Sequence, residues 1–126
     1  MTLLLDTQAF LWWVGDDRRL SRRARRAISD AACLLSVASC WEMAIKAGLG
    51  KLEIPRPIDR FLQQQLEVNG FSLLPASLEH VSAVADLPFH HRDPFDRLLA
   101  AQALHEHIPI VSSDPVFRKY GVKRVW

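Results

Sequence analysis

Apolar positions along this chain come in two rhythms. Leu3-Leu4-Leu5, Cys33-Leu34-Leu35-Ser36-Val37 and the stretch from Ile108 to Asp114 hold near-continuous apolar runs. Such runs predict short strands buried on both faces of a sheet. Between them the spacing lengthens to that of helices over Gln8–Val14, Arg22–Ile28, Ser39–Gly48, Ile58–Val68, Ser77–Ala85 and Pro94–Ala103. Ile58, Phe61, Leu62 and Leu66 form one stripe. Leu78, Val81 and Val84 are expected to face inward, and Leu98, Leu99, Ala101 and Ala103 give a helix surface suited to lying on a sheet. Asn69-Gly70 turns the chain into a strand over Phe71–Leu74, and Val122–Trp126 is expected to add a brief edge strand. Strands alternating with helices predict a three-layer α/β/α fold, with right-handed crossovers and a central, mainly parallel sheet of four to five strands.

Local chemistry fixes several helix starts. Asp93 at the N-cap with Pro94 at the first helical position is a strong start, and it sets Asp96 in the first turn, where the helix dipole favours an anion. Ser21 caps the Arg22 segment, and Ser77-x-x-His80 has the form of a capping box. Gly48 to Pro57 reads as a loop.

The 126 residues suit one domain, 1–126, with 49% apolar and 24% charged residues. No apolar run approaches the ~20 residues of a membrane span, and no leader is visible, so a cytoplasmic protein without membrane contact is expected. Cys33 and Cys40 are expected to be reduced core residues, since their spacing fits no zinc site. Net charge is only +2, yet six arginines fall between Arg18 and Arg26. They form either a solvated helix face or a patch that attracts phosphate. Of the adjacent Trp12 and Trp13, one is expected inside and the other at a protein interface. The segment Phe10–Val14 and Trp41 are expected to serve dimer or partner contacts.

The candidate chemistry lies in the acids. Asp6 arrives where the first strand should leave the sheet; an N-cap accounts for it alone, but Asp114 stands at the equivalent place after the last run. Glu42 and Asp96 join them if their helices begin on the same edge, where open parallel sheets bind ligands. Carboxylates ~4 Å apart repel by about 4 kcal/mol at an effective dielectric near 20. A hard dication, Mg²⁺ or Mn²⁺, would neutralise them and admit a phosphodiester, acidifying a bound water and stabilising phosphoryl charge. Thr7 and Ser112 (or Ser113) are candidate supports, and Lys46 and Arg97 candidate contacts to a substrate backbone. Lys46 could equally pair with Glu42 at i+4, and Arg97 with Asp93, which its N-cap role explains fully. Spacing alone weighs this metal site evenly against four separate caps and ion pairs.

Taken together, Leu4-Leu5-Asp6-Thr7, Ser39-Cys40-Trp41-Glu42-Met43-Ala44-Ile45-Lys46, Gly50-Lys51-Leu52, Leu87-Pro88, Asp93-Pro94-Phe95-Asp96-Arg97-Leu98-Leu99-Ala100-Ala101-Gln102-Ala103, Ser112-Ser113-Asp114, Phe117 and Val125-Trp126 resemble the VapC-like PIN-domain ribonuclease toxins of bacterial toxin–antitoxin pairs. The resemblance spans nearly the whole chain and puts the family's acids on Asp6, Glu42, Asp96 and Asp114. It implies Mg²⁺- or Mn²⁺-dependent endonucleolytic cleavage of RNA, a homodimer and inhibition by an antitoxin protein. Gln8 stands where relatives often have histidine, and Ser112 where they often have threonine. Two other readings remain: a phosphoacceptor signalling domain, disfavoured because Thr7 and Gln8 rather than an acid follow Asp6, and a non-catalytic partner-binding α/β domain.

Overall fold

A computed structural model describes residues 1–126. Its strands are β1 (Thr2–Leu5), β2 (Ala32–Ser36), β3 (Ser72–Leu74), β4 (Ile110–Val111) and β5 (Arg124–Val125). They form one sheet in the order β3-β2-β1-β4-β5, every neighbouring pair parallel. Around it lie α1 (Thr7–Val14), α2 (Arg22–Asp30), α3 (Val37–Gly48), α4 (Ile58–Asn69), α5 (Leu78–Ala83), α6 (Pro94–Glu106) and α7 (Val116–Lys119). The expected α/β/α architecture is therefore present, with the upper strand count.

The central strand β1 explains both cores. Successive side chains alternate between sheet faces. Leu3 and Leu5 meet Phe10, Ala24, Ile28, Met43 and Leu62 on one side, while Leu4 meets Leu99, Ala100, Ala103, Ile110 and Phe117 on the other. All three leucines are fully buried, as a strand covered on both faces requires. A buried polar tie sets α6 against this frame: the Ser36 hydroxyl donates to Gln102 Oε1 at 2.6 Å.

Four expectations change. The fourth strand ends at Val111 rather than at Asp114, because the Ser112 hydroxyl accepts the Asp114 amide at 3.0 Å and turns the backbone out of the ladder. In α5, Leu78 and Val81 are exposed, and Val84, just beyond its end, is only half-buried; the inward residue is His80. The capping box fixes this rotation, since Ser77 and His80 exchange hydrogen bonds and the ring then reaches Glu106 at 2.9 Å. Trp12 and Trp13 are both half-buried instead of one in and one out. Trp12 packs on Trp126 at 5.8 Å, while Trp13 packs on Phe71 and donates to Asn69 at 3.0 Å. Phe10 is fully buried and so contributes to no surface.

Cys33 is buried, Cys40 is half-buried and neither is paired; burial pushes both thiols up to about 11. Of the six arginines, Arg19 and Arg25 pair with Asp17 and Asp16. Arg18, Arg22, Arg23 and Arg26 are exposed. No helix is long and apolar enough to cross a membrane.

Candidate metal centre at the carboxyl edge of the sheet

Because every strand runs the same way, all carboxyl ends share one edge, and the segments leaving β1, β2 and β4 meet there. Asp6 leaves β1 and caps α1, its Oδ1 accepting the Ala9 amide at 2.6 Å. Glu42 sits in the second turn of α3, which follows β2 without a loop. Its carboxylate takes the Thr7 hydroxyl at 2.7 Å and the Lys46 ammonium at 2.6 Å. Asp96 occupies the first turn of α6, whose N-cap Asp93 accepts the Phe95 and Asp96 amides at 2.8 and 3.2 Å. Asp114 follows β4 and holds the Val116 amide at 2.9 Å.

These acids line one cavity of about 370 Å³ together with Thr7, Gln8, Lys46, Lys51, Asp93 and Ser113; Leu11 and Leu52 are its only apolar walls. Five carboxylates thus face two lysines. Burial, with a smaller addition from this imbalance, shifts two of the acids. Burial pushes Asp6 up to about 6; hydrogen bonds from Ser112 and Ala9 oppose this, and the charges of Asp96 and Glu42 add to it. Asp96 is likewise pushed up to about 6 by burial, against the pull of His91, with Asp93 and Glu42 repelling it. Lys46 is raised, chiefly by its hydrogen bond to Glu42.

The donor set fits a hard dication. Carboxylate and hydroxyl oxygens line one pocket, their charges under-compensated, with walls too polar for an apolar ligand. Asp6, Glu42, Asp96, Asp114, Thr7 and Lys46 are therefore brought together as the sequence suggested, and Ser112 backs Asp6 through its hydroxyl.

Arg97 is the exception. It is only 7% exposed, and donates to the Pro88 and Val84 carbonyls and the Tyr120 hydroxyl at 3.0–3.2 Å. It faces neither the cavity nor Asp93, since one residue beyond Asp96 lies about 100° further round the helix. It is a clamp on the segment before α6, not a substrate contact. Asp93 does cap α6, but it also lines the cavity and adds to its charge.

One residue escaped sequence reasoning. His91 Nε2 lies 2.9 Å from Asp96 Oδ2 and 3.9 Å from Asp114 Oδ2. The His90-His91 pair just ahead of a helix start was the available signal, but nothing in the sequence says which ring turns toward the acids.

The chain belongs to the PIN-domain family, which its residues 3–123 match, and it is VapC-like within that family. It is 32% identical over 130 residues to Ribonuclease VapC22 of Mycobacterium tuberculosis, covering 99% of this chain and 98% of that one. Among solved structures it resembles a DNA-bound VapBC from Salmonella typhimurium, with TM-score 0.69, 14% identity and coverage of 98% and 96%. It also resembles VapBC2 from Rickettsia felis bound to a promoter DNA fragment, with TM-score 0.68, 13% identity and both chains covered in full. At such identities these two show the shared fold.

Proposed function

We propose that this chain is a divalent-metal-dependent endoribonuclease and the toxin of a toxin–antitoxin pair, acting on RNA in the cytoplasm. The observation that carries the reading is the meeting of Asp6, Glu42, Asp96 and Asp114, remote in sequence, in one polar cavity. The similar VapC22 is named a ribonuclease, and the Rickettsia and Salmonella structures are VapBC complexes, which supports RNA as substrate and an antitoxin as partner.

Asp6, Glu42, Asp96 and Asp114 would hold Mg²⁺ or Mn²⁺. When bound, the cation supplies an acidified water for attack at phosphorus and offsets charge on the phosphoryl oxygens. The chain's own residues prepare the place. The Ala9 amide fixes Asp6, the Ser112 hydroxyl favours its ionised form, and Thr7 and Lys46 fix Glu42. Lys51, and Lys46 on its outer side, offer positive charge to the RNA backbone at the cavity mouth. Purified protein should cut RNA with Mg²⁺ or Mn²⁺, stop on addition of EDTA and resume when metal is restored. Cutting that persists in EDTA rules out the metal, and intact RNA beside metal-loaded protein rules out the nuclease.

An exposed face around α3 supports a homodimer. Val37, Trp41, Ile45 and Leu49, each four residues apart, leave an exposed apolar stripe along its length, with Trp41 60% exposed. Trp41 stands edge-on to Phe95 at 5.2 Å, widening the stripe toward the site. Soluble monomers seldom show so continuous a patch. Trp41→Glu with Ile45→Glu should give a folded monomer in sedimentation, against a dimer for the parent. A parent that sediments as a monomer, or a variant that remains dimeric, counts against this face.

A further inference from the structure

Resting on the metal reading above, we infer that His91 is a nitrogen ligand of the cation held by the acids, and that the centre therefore favours a transition-metal dication such as Mn²⁺ over Mg²⁺. The adjacent histidines do different things. His90 packs edge-on against the Tyr120 ring at 5.1 Å. His91 instead brings Nε2 to 2.9 Å from Asp96 Oδ2 and 3.9 Å from Asp114 Oδ2. Ligand atoms of His91, Asp93 and Asp96 all lie within 4.8 Å of one another. Donors bound at about 2.1 Å to an octahedral cation stand roughly 3.0 Å apart when adjacent and about 4.2 Å apart when opposite. The shorter His91 separation is that of a hydrogen bond to Asp96, and both separations also lie near these spans.

The loop that presents His91 is fastened. Arg97, itself buried, donates to the Val84, Leu87 and Pro88 carbonyls, and the Phe89 ring lies 4.5 Å from its guanidinium carbon. The His90 amide returns to the Pro88 carbonyl at 3.0 Å. Nε2 is hydrogen-bonded to Asp96 in the protein as it stands, and His91 Nδ1 makes no hydrogen bond within the protein, so Nδ1 is free to take the ring proton when Nε2 turns its lone pair to a cation. A second cluster in the molecule shows the contrast. His80, His105 and Glu106 also gather within 4.8 Å. There, His80 Nδ1 accepts the Ser77 amide, which places the ring proton on Nε2 and makes it a donor to Glu106 rather than a ligand. Imidazole nitrogen suits transition metals, whereas Mg²⁺ prefers oxygen and keeps its waters.

The test is pulsed electron paramagnetic resonance on the protein loaded with Mn²⁺ alone. A ¹⁴N coupling of the strength of a directly bound imidazole is expected, lost in His91→Gln and kept in His90→Gln. Calorimetric titration should show His91→Gln weakening Mn²⁺ by roughly tenfold or more, with Mg²⁺ changed much less. Mn²⁺ bound without nitrogen coupling, or equal weakening of both ions, overturns the role of His91 and leaves the acid centre standing. Failure of parent protein to bind Mn²⁺ at all overturns the metal reading and this inference with it.

Discussion

Asp6→Asn and Asp96→Asn should each lower metal-supported RNA cleavage by about two to three orders of magnitude, while the metal-free variants unfold no earlier than the parent at neutral pH. The two halves of this expectation have one cause. A cation in the cavity is worth several kcal/mol of charge stabilisation to a phosphoryl transition state, and every 1.4 kcal/mol is a factor of about ten. Losing a carboxylate that helps hold it removes a large part of that. Stability goes the other way because burial already opposes the ionised form of Asp6, pushing it up to about 6. Asparagine caps a helix about as well as aspartate, so the bond from the Ala9 amide survives while the unfavourable charge does not. Asp96 is less buried and gives up its bond to His91, so its variant should gain less. Cleavage rates and thermal unfolding in EDTA decide the matter. Parental cleavage in both variants sinks the assignment, and early unfolding of both would show the acids to be structural.

The parts of this molecule that were legible in the sequence are those set by local pattern. Leu3-Leu4-Leu5 could hardly be anything but a strand covered on both faces, and Asp93-Pro94 announces a helix wherever the rest of the chain goes. The four acids were legible because each follows a strand or opens a helix, and a parallel sheet then brings those points to one edge. What stayed hidden depends on partners that leave no local mark. Arg97 reads as a surface or substrate cation, yet the Val84 and Pro88 carbonyls of the segment before α6 draw its guanidinium inside. His91 inherits its direction from that clamp, so it was out of reach for the same reason. In α5 the spacing of Leu78, Val81 and Val84 suggested an apolar face, but a six-residue helix is oriented by its cap and by the His80–Glu106 contact. Spacing is a weak guide in a helix of under two turns.

In chelator, the parent protein should lose stability as pH rises from about 4 to about 6, and Mn²⁺ or Mg²⁺ added above that range should restore it. Unfolded aspartate titrates near 3.9, whereas folded Asp6 and Asp96 hold their protons up to about 6. Below about 4 both states are protonated and the contribution is fully present. Between the two values the unfolded chain gives up protons that the fold retains, so the folded state binds more and stability falls with pH. Above about 6 the loss is complete. For Asp6, a displacement of about two pH units corresponds to about 3 kcal/mol at most; Asp96, nearer solvent, adds less. Asp17 works in the opposite sense, lowered to about 2 chiefly by its hydrogen bond to Arg19, but that pair is exposed and salt screens it. The comparison is therefore made at high salt and against Asp6→Asn, whose profile should lack most of the fall. Metal at about a hundred times its dissociation constant contributes about 2.7 kcal/mol, close to what burial of the charge removes, so the loaded parent should regain nearly its acid-side stability. If parent and Asp6→Asn instead follow the same curve in chelator, neither burial nor the neighbouring acids penalise the Asp6 charge, and the reason for a cation to bind there disappears.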